Sequence, residues 1–308
     1  MRPPFVLAAF LSATILLAQT RPAPQYRSHI TIFDLATRAS SVAYSGDGVI
    51  EAPNWSRDGG HLLVNTNGGL YRLAVAAPAG GRKLERLPLQ GEYRCNNDHD
   101  YSRDGRRVAF SAATPDVKQS RVFVAQADGS GVKLLTAKTP SYFHGWSPDS
   151  RWLGFVGSRA PGKFELFRVA ASGGEEQQLT TSGAYDDGPE YSPDGKWIYF
   201  NSNRSGTWEI WRMPASGAGP GDKLARRLTQ DAPEDWFPHL SPDGKQAIFL
   251  AFPPGTKGHG ERMPGMTLRY VKAPGAKRWG TPETLATFYG GQGTINVNSW
   301  SPDSKRFA

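Results

Sequence analysis

The stretch Tyr191-Ser192-Pro193-Asp194-Gly195-Lys196-Trp197-Ile198-Tyr199-Phe200 decides the fold, because it is one copy of a unit that the chain carries six times. Proline fixes φ at the second position of a turn, Asp194 can bond back to local backbone, and Gly195 accepts positive φ, so the first half reads as a tight turn. The second half alternates in the manner of a half-buried strand. The other copies are Trp55-Ser56-Arg57-Asp58-Gly59, Tyr101-Ser102-Arg103-Asp104-Gly105, Trp146-Ser147-Pro148-Asp149-Ser150, Leu240-Ser241-Pro242-Asp243-Gly244 and Trp300-Ser301-Pro302-Asp303-Ser304. Their serines are spaced by 46, 45, 45, 49 and 60 residues. A period in the mid-forties with strand-like content is what a four-stranded propeller blade requires.

Working outward from the turn, a third strand follows in each unit, as in Arg121-Val122-Phe123-Val124, Glu165-Leu166-Phe167-Arg168 and Glu209-Ile210-Trp211-Arg212. The fourth ends on Leu-Thr, at Leu135-Thr136, Leu179-Thr180 and Leu228-Thr229. The chain ends complete the pattern. Residues 297–301 and 305–308 read as a first strand and the start of a second, and residues 29–35 and 41–44 as a third and fourth. The expectation is an all-β, six-bladed β-propeller of four-stranded antiparallel blades over residues 27–308. The N-terminal strands would pair with the C-terminal blade and close the ring, which removes exposed sheet edges. A chain that stops two or three residues into its last strand also fits a fragment of a longer protein.

Residues 1–20 combine an early Arg2, an uncharged apolar run from Phe5 to Ala18 and small residues at Ala18 and Thr20, the pattern of a cleavable signal peptide. The run is too short for a membrane span. A periplasmic or secreted protein is therefore expected. The single cysteine, Cys95, excludes an intramolecular disulfide and reads as a small core thiol. The net charge of +8 is dispersed, with a Lys or Arg after five of the six turns (Arg106, Arg151, Lys196, Lys245, Lys305). That leaves no basic stripe of the kind nucleic acid needs. A monomer is expected, with no nucleic-acid partner and no membrane span.

The runs Tyr191 to Phe200, Ser202-Asn203-Arg204-Ser205-Gly206-Thr207-Trp208-Glu209-Ile210-Trp211 and Arg227-Leu228-Thr229 resemble the repeats of TolB-family propellers, and the resemblance covers nearly all of the chain after the leader. It implies one of three roles: a periplasmic binding platform, the propeller domain of a prolyl-oligopeptidase-like peptidase, or an oligogalacturonate lyase. The peptidase role needs a Gly-x-Ser-x-Gly elbow on an α/β-hydrolase domain, and this sequence contains none.

Strand direction places the Ser-x-Asp turns on one face of the ring (face two). The crossovers between blades and the loops between second and third strands then lie on the other (face one). Residues three to six before each motif serine should gather at the mouth of the central channel. Glu51, Asp98 and Asp187 are candidate ligand-binding residues there, with Trp236 as a stacking surface and His259 in the long 253–266 insertion. His99, His144 and His239 recur at nearly equivalent positions, and neutral imidazole is a good ligand for zinc, manganese or iron; the cofactor expected on that reading is a divalent metal, manganese, zinc or calcium. The resemblance to oligogalacturonate lyases implies Gln292 as a fourth ligand and Arg159 or Arg204 as the proton acceptor. Asn296 and Asn298 stand where those lyases place a histidine pair. The leading expectation is an exported platform that recognises an envelope protein or a glycan at the mouth. The alternative is a metal-dependent polysaccharide lyase.

Overall fold

The same hydrogen-bonded box closes every Ser-x-Asp turn. The serine hydroxyl donates to the aspartate two residues on, at 2.5–2.6 Å in all six copies, and accepts the backbone N–H five residues on, as at Trp197 N to Ser192 Oγ, 3.0 Å. The aspartate accepts the N–H of the residue just before the next strand, as at Lys196 N to Asp194 Oδ1, 3.1 Å. Gly195 sits at φ 71°, the left-handed region where a side chain is costly. Ser150 and Ser304 take that conformation in two copies and use their side chains across blades. Each hydroxyl accepts the backbone N–H of an aspartate in the preceding turn, Asp104 and Asp243, at 3.1 Å.

The structure is a computed structural model that describes residues 26–76, 81–272, 274–275 and 278–308; the leader expected at 1–20 lies outside them. It is an all-β six-bladed propeller. Five four-stranded antiparallel sheets start with the inner strands Ile50–Trp55, Arg94–Tyr101, Ser141–Trp146, Asp186–Tyr191 and Glu234–Leu240 and run outward in chain order. They are blades one to five below. The outermost strands of blades two, three and four are only two residues long (Lys133–Leu134, Gln177–Gln178, Arg226–Arg227). The Leu-Thr pairs explain why these strands stop where they do. Each threonine hydroxyl accepts a backbone N–H of the third strand, at Val122 (2.9 Å), Leu166 (3.0 Å) and Ile210 (2.9 Å), and so replaces a ladder bond.

The sixth blade joins the two chain ends. Arg27–Asp34 pairs with Ala39–Asp47 on one side and with Arg306–Phe307 on the other. Phe33 stacks on Phe307 at 5.1 Å. The expected inner strand of this blade makes one bridge, Trp300 with Phe307, because the strand opposite it is two residues long. Apolar clusters fill the spaces within and between blades, and Trp55, Trp146 and Trp300 before the motif serines are fully buried. The indoles of Trp146 and Trp300 each donate to an inner-strand carbonyl of the preceding blade, Asp100 (3.1 Å) and His239 (3.0 Å). Cys95 lies in the second-blade core, where burial pushes its thiol up to about 12. Among the described residues, no helix is long and apolar enough to cross a membrane.

Candidate functional site

All five paired inner strands slip register just before the motif turn: between Glu51 and Asn54, Cys95 and His99, Phe143 and Gly145, Asp187 and Glu190, and Trp236 and His239. Such bulges bend a strand and re-aim its side chains. Ala52, Gly188 and Phe237, each four residues before a motif serine, have φ of 53°, 61° and 54°. The bulges divide the channel lining into two tiers, one at the face-one mouth and one nearer the turns.

The mouth tier is organised by Asp187. Its Oδ1 lies 3.1 Å from His144 Nε2 and its Oδ2 lies 3.3 Å from His259 Nε2. The other ring nitrogen of His259 meets Gln292 Oε1. Asp98 accepts from Asn296 Nδ2 and from Asn96 Nδ2, both at 2.6 Å, and the Asn296 bond spans the channel from the sixth blade to the second. Phe237 stacks on His144 at 5.7 Å. Burial alone would lower the pKa of His144, but Asp187 and then Asp98 raise it above the ordinary value. Burial pushes Asp98 up against the opposing pull of His144, whereas His144 and His259 hold Asp187 well below the usual carboxylate range despite its burial. The Asn296 backbone also hydrogen-bonds His144 and raises its pKa further.

The 253–262 segment straps this tier from above. Gly255 N donates to Glu234 Oε1 at 3.1 Å, His259 reaches Asp187 and Gln292, and Arg262 pairs with Glu51 of the first blade. Glu51 lies flat against the 3-10 turn Gln292–Thr294, where a Cβ on Gly293 would overlap its carboxylate.

The lower tier is a network centred on Glu190. Glu190 accepts from His239 Nδ1 (2.7 Å), Asn298 Nδ2 (2.5 Å) and Leu240 N (3.2 Å), and Arg103 approaches it at 3.8 Å. His239 Nε2 faces the Ile295 carbonyl at 2.7 Å. Beside this group, Arg57 binds Asp100 at 2.8 Å and the Tyr101 carbonyl at 2.6 Å. Arg57 and Arg103 occupy the turn position that is proline in the other four copies. That departure is a sequence signal for this network, which was not read from the sequence. Asn54 beside His99, Glu190, and Tyr185 against the His259 ring also take part without having been singled out.

The sequence candidates are thus distributed unequally. Asp98, His144, Asp187, His259 and Gln292 meet at the mouth, with Glu51 linked through Arg262. His239 belongs to the lower tier. His99 Nδ1 lies 2.9 Å from Asn54 Nδ2, and burial lowers the pKa of its ring to about 3. Trp236 is fully buried against Trp208 at 3.8 Å, so its ring is part of the core. Arg159 is held by Glu176 (2.9 Å), Ser141 Oγ (2.7 Å) and the Pro140 carbonyl (2.8 Å). Arg204 is held by both oxygens of Asp186 at 2.8 Å and by Asp222 at 3.1 Å. The His, Cys, Asp and Glu ligand atoms that lie within 4.8 Å of one another in a group of three belong to Glu209, Asp231 and Asp235, and His99, His144 and His239 form no such group among the described residues. The Glu209 set is stitched by Arg227 and Arg269 (3.1 Å to Asp235), and it lies between blades, away from the channel lining.

The profile of the TolB beta propeller domain (PD40) matches residues 100–259. An uncharacterized protein of Agrobacterium fabrum strain C58 is 38% identical over 289 residues, which cover 94% of each chain. A solved structure of a TolB-assigned protein from Agrobacterium tumefaciens is similar at a TM-score of 0.83 and 36% identity, covering 92% of this chain and 97% of that one. An oligogalacturonate lyase in complex with manganese is similar at a TM-score of 0.50 and 13% identity, covering 86% of this chain and 73% of the lyase; at that identity the likeness is one of fold alone.

Proposed function

The chain belongs to the TolB β-propeller family, and we propose that it is an exported, monomeric propeller that binds a segment of an envelope protein at its face-one mouth. One observation carries the reading. Asp187 joins His144 and His259 beneath the strap, so three titratable groups meet at the face-one mouth, where His144 and Asp187 shift each other's pKa values. A cluster of titratable groups with shifted pKa values at a channel mouth is the usual mark of a functional site. Its site of action in this reading is the periplasm or the exterior, as the 1–20 leader pattern suggests. The test is to present the protein with a peptide array and a glycan array beside Asp187→Asn. The expected result is peptide binding that weakens roughly tenfold or more in the variant, the cost of losing one charged hydrogen bond. Binding confined to glycans, or binding unchanged in Asp187→Asn, overturns the proposal.

The lyase alternative asks for a cation held by His99, His144, His239 and Gln292, with Arg159 or Arg204 as base. Support for it is thin, because His239 is bonded at both ring nitrogens and both arginines are clamped by carboxylates. These residues do not form a ligand set, so no reaction step is built on a metal here. Elemental analysis after exposure to manganese, zinc and calcium decides it. Near-stoichiometric metal that is lost in a His144→Ala/His239→Ala variant would revive the lyase reading.

A further inference from the structure

Beside the mouth, between the first and second blades, a cleft of about 400 Å³ opens on face one, lined among others by Asn65, Asn67, Arg94, Asn96 and Lys118. Its charges are unbalanced in a way that neighbouring ones are not. Arg121 has Asp116 (3.8 Å), Arg159 has Glu176 (2.9 Å), Arg204 has Asp186 (2.8 Å), and Arg262 has Glu51. Glu51 also lines the cleft, but its carboxylate is engaged by Arg262. Asp116, the acid nearest in sequence to Lys118, is taken by Arg121 and by Thr114 Oγ1 (2.6 Å). Arg94 and Lys118 make no ion pair or side-chain hydrogen bond among the described residues.

Both cations stand on ordered backbone. The stem of Arg94 crosses the Asn67-Gly68 turn, where a Cβ on Gly68 would come within 3.2 Å of Arg94 Cγ and where φ is 73°. Cys95 N donates to the Gly68 carbonyl at 2.9 Å and fixes the approach. The loop that carries Lys118 is closed by Thr114 N to the Val117 carbonyl at 2.9 Å. Asn96 ties the cleft to the mouth, since it lines the one and donates to Asp98 in the other at 2.6 Å.

We infer that this cleft is the carboxylate subsite of the bound peptide: Arg94 and Lys118 grip an acidic side chain or a C-terminal carboxylate while the rest of the segment crosses the mouth. The inference rests on the mouth being the binding face. A guanidinium fork matches a carboxylate bidentately, and an ammonium beside it adds charge without directional demand. The lining supplies amide side chains and no aromatic ring. That suits a peptide backbone, which needs hydrogen-bond partners, better than a sugar, whose apolar ring face calls for an aromatic platform.

The test is a calorimetric titration of the full chain with an acetylated, amidated tetraglutamate peptide, its tetraglutamine counterpart and a trigalacturonate. Tetraglutamate should bind and tetraglutamine should not, with affinity falling as salt rises. Arg94→Gln and Lys118→Gln should each weaken tetraglutamate roughly tenfold, as expected for one charge-assisted bond. Arg106→Gln, on the opposite face, should leave it unchanged. Equal affinity in the Arg94→Gln/Lys118→Gln double variant, or tighter binding of trigalacturonate than of tetraglutamate, overturns the subsite. Asp187→Asn separates the two readings. The small probe needs only the cleft, so its binding should survive in that variant even if the peptide-array result goes against the mouth.

Discussion

His239 and His144 stand in the same channel, on inner strands of different blades, and the surroundings of the two rings differ. His239 is enclosed by Glu190 at 2.7 Å and the Ile295 carbonyl at 2.7 Å, and Glu190 in turn ties in Asn298, Leu240 and Arg103. His144 has one ring nitrogen on Asp187 at 3.1 Å, with Asp98 and the Asn296 backbone adding to its support. The lower tier therefore joins blades two, four, five and six as a girdle, while the mouth tier gathers titratable groups beneath the strap and beside the cleft. On the proposed reading, the same residue types serve cohesion at one end of the channel and recognition at the other.

Removing the centre of the girdle should have the largest effect. Glu190→Ala strands the His239, Asn298 and Leu240 donors in a buried site, and the expected loss is about 3–5 kcal/mol of unfolding free energy by urea titration. A loss below about 1 kcal/mol would break the distinction between tiers. Gly188→Ala comes next. A Cβ there would approach Asn201 Oδ1 to 2.8 Å and Phe237 Cδ1 to 3.0 Å, and the backbone holds φ 61°. About 1–3 kcal/mol of destabilisation is expected for forcing a side chain into that conformation.

The smallest effects, and the most informative for the comparison, are the titrations of His144 and His99 by imidazole NMR. His144 should titrate above 6.5, because Asp187 and Asp98 outweigh its burial. Its folded value is raised, so its contribution to stability is complete below about pH 6.5 and is lost as the pH rises through the folded value. His99 should remain neutral down to about pH 3. The unfolded chain takes up that proton from pH 6.5 downward while the folded chain does not, so this group subtracts stability progressively as the pH falls from 6.5 towards 3. Two histidines at equivalent repeat positions would thus move stability in opposite senses. Parallel titration of the two would show that the surroundings of these two rings are not electrostatically distinct.

The repeat made the ring legible, because each Ser-x-Asp box is closed by atoms within about five residues, and local geometry of that kind is written in local sequence. The Leu-Thr ends were equally plain, although the threonines act by capping the third strand rather than by extending the fourth. The site was harder to read. His99 and His144 lie three residues before their motif serines and His239 two, and all three belong to different blades, so their near-equivalence in the repeat did not bring them together. The bulges then sent His239 to Glu190 and left His99 beside Asn54. Asp186 and Asp235 were expected at the mouth but bind Arg204 (2.8 Å) and Arg269 (3.1 Å) instead. The meeting of His259 with Asp187 depends on the path of a long loop, which carries no periodic signal.

The central claim is that recognition belongs to the mouth and cohesion to the girdle beneath it. Its most direct test takes a peptide selected on the wild-type protein from a random library and measures its affinity for Asp187→Asn and Glu190→Gln, each at a temperature where the protein is fully folded. The account predicts that Asp187→Asn weakens binding roughly tenfold or more with little change in urea midpoint, while Glu190→Gln lowers the midpoint and leaves affinity unchanged. Affinity lost in Glu190→Gln and retained in Asp187→Asn would contradict it.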